Sequence, residues 1–268
     1  MLAVCATPIG NLEDVTLRVL RELAEADTVL CEDTRRTRVL LDRHGISAKL
    51  VSLHRYNEAA RVAELVPRLV AGERLALVSD AGLPGVNDPG ARLIAAAVEA
   101  GVPVTVLPGP SAVSTALVAS GFAAERYQFL GYLPRGEKAL AALWQELRAW
   151  PHAVVAFESP QRLPTALRTL ADVDPERPLA VCRELTKLYE EVVRGSASGV
   201  AERFAEPPKG EITLVLGPSA TSAEPADVVA ATQAVADLVG EGVSRRRAAD
   251  VVARLSGIPR NELYSRSL

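Results

Sequence analysis

Between Leu2 and Gly121 the chain alternates short β-rich apolar runs with longer amphipathic stretches. "LAVCATP" is followed by "EDVTLRVLRELAEAD", "TVLCEDT" by "RRTRVLLDRHG", and "RLALVSD" by "PGARLIAAAVEAG". Val62, Leu65, Val66 and Leu69 recur at helical spacing, whereas Leu75 to Val78 form a continuous apolar run, as a strand covered on both faces requires. Strands that alternate with helices predict an α/β domain with a mainly parallel sheet.

The pattern changes near Gly121 to Arg126. Beyond it, "YQFLGYLP", "AVVAFESP", "PLAVCREL", "YEEVVRG" and "GEITLVLG" are hairpin-like and richer in charge and aromatic residues, with helix candidates at 136–149 and "QRLPTALRTLADV". They predict a second α/β domain whose mixed sheet contains antiparallel pairs. The domains are drawn at 1–122 and 123–217. Small and turn-forming residues at 218–227 suggest a linker, and 228–268 a helical segment of helix-turn-helix type or a helical cap. In that segment Ser244 suits an N-cap, Gly257 a C-cap, and Pro259 the first turn of a last helix.

The 268 residues suffice for two domains that each bury a core. With 49% hydrophobic and 24% charged residues the composition is globular. No apolar run has the length of a bilayer span and the start lacks a secretory pattern, so a cytoplasmic location and no membrane are expected. Cys5, Cys31 and Cys182 lie in separate apolar runs, which suits core thiols. His44, His54 and His152 are scattered, and no metal is expected. A net charge of −3 gives no general attraction to nucleic acid. Two local basic clusters stand out, "TRRTR" at 34–38 and Arg245-Arg246-Arg247; each is either a solvated helix face or a phosphate grip.

Three turns after strands have unusual composition: "TPIGN" at 7–11, "SDAGLPGVNDPG" at 79–90 and "PGPSA" at 108–112. In an open α/β sheet such turns sit at the carboxyl ends of the strands, where ligands bind. No GxGxxG follows a strand and no GxxxxGK[ST] occurs, so the turns are not built around pyrophosphate. Aspartates, prolines and small residues suit a nucleoside or amino-acid ligand with hydroxyl and ammonium groups.

"TPIGNLEDVTLRVL", "CEDTRRTRVLL", "SDAGLPGVNDPG", "LPGPSA", "FESPQRL", "RELTKLYEEVVRG" and "KGEITLVLG" together resemble the tetrapyrrole-methylase superfamily of S-adenosylmethionine-dependent methyltransferases. Within it the chain is similar, over essentially its whole length, to the bacterial family that methylates the ribose 2′-oxygen of a decoding-centre cytidine in 16S ribosomal RNA. The resemblance implies two α/β domains of the tetrapyrrole-methylase type, S-adenosylmethionine bound in the cleft between them, and a homodimer. It implies cofactor contacts from Pro8, Ser79, Asp80, Leu83, Ser111 and Ala112, with Glu158 and Thr213 approaching from the second domain. The chain departs from the pattern at Leu83 and Gly85, where threonine and a bulkier residue are expected; a backbone contact at 83 survives that change and a hydroxyl contact does not.

A ribose hydroxyl needs a proton acceptor before it attacks a methyl group. Candidates are Asp33, His54, Asn57 and Glu58, with Asp33 and Arg35 ranked first. Glu32 and Asp33 serve equally well as N-terminal caps of a helix. Arg35 and Arg36 suit RNA phosphates, and Glu184 with Lys187 suits a surface ion pair. Two other functions compete: a methyltransferase for small tetrapyrroles, and a non-catalytic module that binds S-adenosylmethionine or the ribosome. A nicotinamide oxidoreductase is remote without GxGxxG.

Overall fold

The computed structural model describes residues 1–123, 125–219 and 225–267. The chain divides into two compact units, one of residues 1–145 and 152–217 and the other of residues 146–151 and 218–268.

The first unit begins with the alternating elements β1 (Leu2–Cys5), α1 (Leu17–Glu25), β2 (Thr28–Cys31), α2 (Thr34–Arg43), β3 (Leu50–Ser52), α3 (Glu58–Val70), β4 (Leu75–Val78), α4 (Ala91–Glu99), β5 (Val104–Leu107) and α5 (Ala112–Ser120). The five strands form a sheet of order β3-β2-β4-β1-β5 in which every pair is parallel. Strand side chains alternate between faces. Leu2, Val4, Leu30, Leu75 and Leu77 pack with Leu65 and Leu69 of α3 and Leu93 of α4. Ala3, Cys5, Val29, Cys31 and Ala76 pack with Val19 and Leu23 of α1 and Leu41 of α2. Both faces are covered, which is why the strands read as unbroken apolar runs. Adjacent strands β2 and β4 thus send the chain to helices on opposite faces, which opens a crevice at their carboxyl ends.

The same unit holds a second sheet, built from β6 (Tyr127–Tyr132), β7 (Ala153–Glu158), β8 (Pro178–Arg183), β9 (Glu191–Ser196) and β10 (Ile212–Leu216), in the order β6-β7-β10-β8-β9. It is mixed: β6 and β7 run parallel, and β7–β10, β10–β8 and β8–β9 antiparallel. The helices α6 (Glu137–Leu147), α7 (Leu163–Val173) and α8 (Ala197–Arg203) lie among these strands in sequence. Although α5 follows the last strand of the first sheet, it packs on the second: Val113, Ala116 and Leu117 meet Ala153, Val155, Ala180, Cys182 and Val215. Ser111 caps α5 by accepting Ser114 N–H at 3.4 Å, and Gly121, at φ +76°, ends it in the left-handed conformation.

In the other unit, α9 (Pro225–Gly240), α10 (Arg245–Ser256) and α11 (Arg260–Arg266) enclose a small core of Ala231, Val235, Ala248, Ala249, Val252 and Leu263. Gly257 closes α10 at φ +74°. Ser244 occupies the N-cap of α10 without a side-chain cap bond, and Pro259 is the cap of α11. Helix α9 starts at Pro225, inside the stretch read as a linker; residues 220–224 of that stretch lie outside the described residues.

The three cysteines are buried and unpaired, and burial pushes the thiols of Cys5 and Cys182 up to about 12 and about 11. Among the described residues no helix is long and apolar enough to cross a membrane, and no group of three or more His, Cys, Asp or Glu side chains is arranged to hold a metal.

Candidate functional site

The turns after β1 and β4 are locked together. Thr7 and Gly82 exchange two backbone hydrogen bonds, of 2.8 and 3.0 Å, and Thr7 Oγ1 donates to the Ser79 carbonyl at 3.0 Å. Gly82 adopts φ +78°, a conformation side chains disfavour. Ser79 is buried and its hydroxyl turns to the carbonyls of Ala81 and Gly82, both at 3.2 Å. Asp80 bridges to the turn after β2: its Oδ1 accepts Asp33 N–H at 3.0 Å, and its Oδ2 lies 3.6 Å from Arg36 Nε. Thr7, Pro8, Arg36, Ser79 and Asp80 surround a pocket of about 50 Å³. Leu83 instead packs its side chain against the core beneath the sheet, leaving its backbone to the turn.

Asp33 is the N-cap of α2 and is wholly engaged with Arg35. Its Oδ1 accepts Arg35 N–H at 2.8 Å and Nε–H at 3.0 Å, and its Oδ2 accepts Nη2–H at 2.7 Å. These bonds hold its carboxyl down at about 2, which makes it a weak proton acceptor at neutral pH. Arg35 itself projects into solvent.

The second sheet closes on the same turns. Gly10 lies so close to the β8–β9 connection that a Cβ there would stand 2.8 Å from the Leu185 carbonyl and 2.7 Å from Thr186 Oγ1, and Asn11 N–H donates to that hydroxyl at 3.0 Å. Thr186 and Glu184 hold φ of +66° and +53°. Lys187 is more than a surface partner of Glu184: its Nζ reaches both Glu184 at 2.7 Å and Glu211 at 3.0 Å, and it is three-quarters buried. Ala112 joins the apolar contact between α5 and the second sheet. Thr213 is buried on β10, one register step from the pair Ile212–Glu158. At the end of β7, Glu158 has a fully buried side chain. Its Oε1 accepts Ser159 N–H at 2.6 Å and pairs with Arg162, while Oε2 has no partner, and burial raises its pKa.

Three of the candidate proton acceptors have structural engagements. Asn57 staples its own turn, with Oδ1 accepting His54 N–H at 2.8 Å and Nδ2 donating to the Ser52 carbonyl at 3.1 Å. Glu58 is buried and its Oε1 caps the start of α4, accepting Gly90 N–H at 2.9 Å and Arg92 N–H at 3.1 Å. His54 lies edge-on to Tyr56 and leaves Nδ1 buried without a partner.

Two further carboxylates belong to these turns: Glu32, read from the sequence only as a helix cap, and Asp88 of the long turn, which sequence reasoning did not single out as a proton acceptor. Asp88 is pushed up to about 6, chiefly by burial, then by the charge of Glu32, and further by Asp80, with the Ser79 hydroxyl acting in the opposite direction. Burial and Asp80 also raise Glu32, against the opposing charges of His54, Arg36 and Arg55. The sequence signal for Asp88 is the "NDP" of the long turn, an acid held against a proline in a segment whose composition suits ligand binding.

Residues 1–201 match the family model described as Tetrapyrrole (Corrin/Porphyrin) Methylases, and residues 225–268 match that described as the RsmI C-terminal HTH domain. The chain is 38% identical to the ribosomal RNA small subunit methyltransferase I of Halalkalibacterium halodurans, over 98% of this chain and 93% of the relative. It is 41% identical to the protein of the same name from Mesorhizobium japonicum, over 100% of this chain and 91% of that one. Its fold resembles the crystal structure of uroporphyrin-III C-methyltransferase from Thermus thermophilus, with a TM-score of 0.57 at 23% identity over 81% of this chain and 93% of the other. With two packed sheets, interlocked strand-end turns and near full-length identity to these relatives, the chain belongs to the tetrapyrrole methylase family and, within it, to the ribosomal RNA small subunit methyltransferase I proteins.

Proposed function

We propose that this protein transfers a methyl group from S-adenosylmethionine to the ribose 2′-oxygen of a decoding-centre cytidine in 16S ribosomal RNA, acting on the assembled small subunit in the cytoplasm and as a homodimer. It is an S-adenosylmethionine-dependent ribosomal RNA methyltransferase. The observation that carries this reading is the identity of 38 to 41% that runs through the catalytic unit and the C-terminal helices alike. A tetrapyrrole methylase would account for the first 201 residues only.

When bound, S-adenosylmethionine supplies a methyl carbon attached to positively charged sulfur. The residues between the two sheets suit such a ligand. Glu158 Oε2 is a buried acceptor without a donor, a costly arrangement unless a ligand hydroxyl or ammonium completes it. Pro8, Ser79 and Asp80 border the pocket and the Leu83 backbone follows in the same turn; Ser111 and Ala112 stand at the start of α5; Glu158 and Thr213 come from the second sheet. The pocket of about 50 Å³ beside Pro8 and Asp80 would hold one part of the molecule, and Glu158 and Thr213 would meet another.

A carboxylate set against the sulfonium would stabilise the ground state more than the transition state, because the positive charge disappears as the methyl group leaves. Asp80 therefore serves the hydroxyls or ammonium of the cofactor, and the acceleration comes from holding oxygen and methyl carbon in line. Asp33 orients Arg35 toward solvent, where its guanidinium suits an RNA phosphate. A structured RNA is read largely by shape, with the exposed arginines of α2 and α10 as its electrostatic grips.

The test is transfer of labelled methyl from S-adenosylmethionine to small subunits lacking their native methylations, followed by nucleoside analysis. A cytidine methylated on its 2′-oxygen is the expected product. Label in porphyrin precursors and none in RNA would transfer the protein to the tetrapyrrole branch.

A further inference from the structure

Two left-handed residues meet across the cleft. Gly131, at φ +69°, lies in a bulge of β6 between Phe129 and Tyr132. A Cβ on it would come within 3.0 Å of Oδ1 of Asn87, itself at φ +65°. A bulge re-aims the side chain that follows it, and bulges are over-represented next to active sites. The residue after Gly131 is Tyr132, 60% exposed, its ring supported edge-on by Phe157 at 5.7 Å. The residue after Asn87 is Asp88.

The approach of Gly131 to Asn87 brings the residues that follow them, Tyr132 and Asp88, to the same place. Burial, then the charges of Glu211, Asp88 and Glu158, raise the Tyr132 phenol against the opposing charge of Arg162. Tyr132 pairs in the sheet with Phe157, the residue before Glu158, whose buried Oε2 has no partner. Asp88 faces Glu32 and Asp80 from the first sheet, the Ser79 hydroxyl, and Tyr132 from the second. Asp33 and Glu58 are each loaded with N–H donors and Asp80 already accepts one. Asp88 is instead partly buried and set among like charges, both of which favour taking up a proton.

We propose that Asp88 and Tyr132 are the two walls of the acceptor-nucleotide subsite: the Tyr132 ring stacks on the base of an unstacked RNA nucleotide, and the Asp88 carboxylate accepts its ribose hydroxyl proton. This rests on the methyl-transfer reading above. As the ribose oxygen–carbon bond forms and the carbon–sulfur bond breaks, the hydroxyl proton passes to Asp88, the sulfonium becomes a neutral thioether, and the proton then leaves Asp88 for water. With its carboxyl at about 6, Asp88 is ionised yet basic near neutral pH, as a general base requires.

The experiment has two parts. Methylation of small subunits is measured against pH for the wild type, Asp88→Asn and Asp88→Glu. Cofactor-free binding of a decoding-centre RNA carrying a fluorescent cytidine analogue at the target is measured for the wild type, Asp88→Asn, Tyr132→Ala and Tyr132→Phe. Asp88→Asn is expected to lower kcat by about 10²- to 10⁴-fold. It leaves RNA affinity within about threefold and removes the fall in rate that the wild type shows as pH drops through about 6. Asp88→Glu recovers part of the rate. Tyr132→Ala abolishes quenching of the analogue and weakens RNA binding by about tenfold, the order of a single base–aromatic stack, whereas Tyr132→Phe retains the quenching. An Asp88→Asn enzyme with the wild-type rate and pH profile, or quenching that persists in Tyr132→Ala, overturns the inference while the wild type still methylates RNA. A wild type that leaves RNA unmethylated brings down the methyl-transfer reading instead.

Discussion

The Asp80 carboxylate accepts the backbone N–H of Asp33 at 3.0 Å, so one side chain ties the end of β4 to the start of α2 and faces the pocket beside Pro8. Its structural role and the ligand role proposed for it therefore overlap, and two substitutions separate them. Asp80→Ala leaves the Asp33 N–H without its partner and is expected to cost about 1–2 kcal/mol of stability by denaturant unfolding. Asp80→Asn keeps an acceptor and costs less. Both lose the negative charge, and both are expected to weaken S-adenosylmethionine binding by about tenfold or more in calorimetry, the loss of one charge-assisted bond. Wild-type cofactor affinity in Asp80→Asn would remove Asp80 from the cofactor site.

Glu58 is a helix cap supplied from another helix. Its Oε1 accepts the N–H groups of Gly90 and Arg92, where the long turn enters α4, and the residue is only 7% exposed. Glu58→Ala strands two backbone donors and is expected to destabilise the fold by about 2–4 kcal/mol. Glu58→Gln keeps an acceptor and is expected to lose about 1 kcal/mol. Because the role is structural, kcat of the folded Glu58→Gln enzyme should stay within about threefold of wild type, well short of the loss from removing a general base. A loss of several hundredfold at unchanged stability would assign Glu58 to the chemistry.

How far the sequence speaks for the fold depends on the period of each pattern. The run Leu75 to Val78 and the spacing Val62-Leu65-Val66-Leu69 carried the parallel sheet and its helices, because burial on both faces leaves an unbroken signal. Helix α5 shows the limit: its caps at Ser111 and Gly121 are local and legible, but nothing local says that Val113, Ala116 and Leu117 cover the second sheet. The site divides in the same way. Turn composition located the strand-end loops, while the chemical state of each acid depended on distant partners. Asp33 beside Arg35 and Asp88 beside Glu32 are both aspartates in polar turns, yet one is held at about 2 and the other at about 6. That difference comes from burial and from charges contributed by other loops.

Asp88 also links the site to stability. Its folded pKa of about 6 lies above the ordinary value of 3.8, so the folded chain holds this proton more tightly than the unfolded chain. The resulting stabilisation is complete below about pH 4 and is lost as pH rises through about 6. Asp88→Asn mimics the neutral acid. It is expected to unfold like the wild type at pH 4 and to exceed it by about 1–2 kcal/mol at pH 7.5, after allowance for solvent screening of a half-buried group. Equal stabilities at both pH values would mean that the carboxyl is not raised.

Gly10 tests how tightly the two sheets are keyed. A methyl group there would meet the Leu185 carbonyl at 2.8 Å and Lys187 Cγ at 2.5 Å. The lysine stem can swing away, but the carbonyl belongs to a turn fixed by the positive φ values of Glu184 and Thr186. Gly10→Ala is therefore expected to destabilise the protein by about 1–3 kcal/mol. By prising the first loop from the second sheet it should also raise the KM for S-adenosylmethionine more than it lowers kcat. An alanine variant with wild-type stability would show that the β8–β9 turn yields.

On α10, Arg246, Arg247 and Arg254 are exposed, and Arg247 and Arg254 border a surface hollow of about 510 Å³ with Asp250. Ala248, Ala249 and Val252 are buried in the three-helix core. Charge reversal at Arg246 and Arg247 therefore changes the surface without disturbing packing, and the helical content should be unaffected. If these side chains hold phosphates, Arg246→Glu with Arg247→Glu is expected to weaken small-subunit binding by about tenfold or more at low salt. It should also lower the slope of log affinity against log salt by about 0.7–0.9 for each phosphate that is no longer neutralised. S-adenosylmethionine affinity is expected to stay at the wild-type value, since the residues proposed to hold the cofactor lie on other elements. Binding and salt slope that both match the wild type would make this basic cluster a solvated helix face, leaving the RNA grip to the arginines of α2.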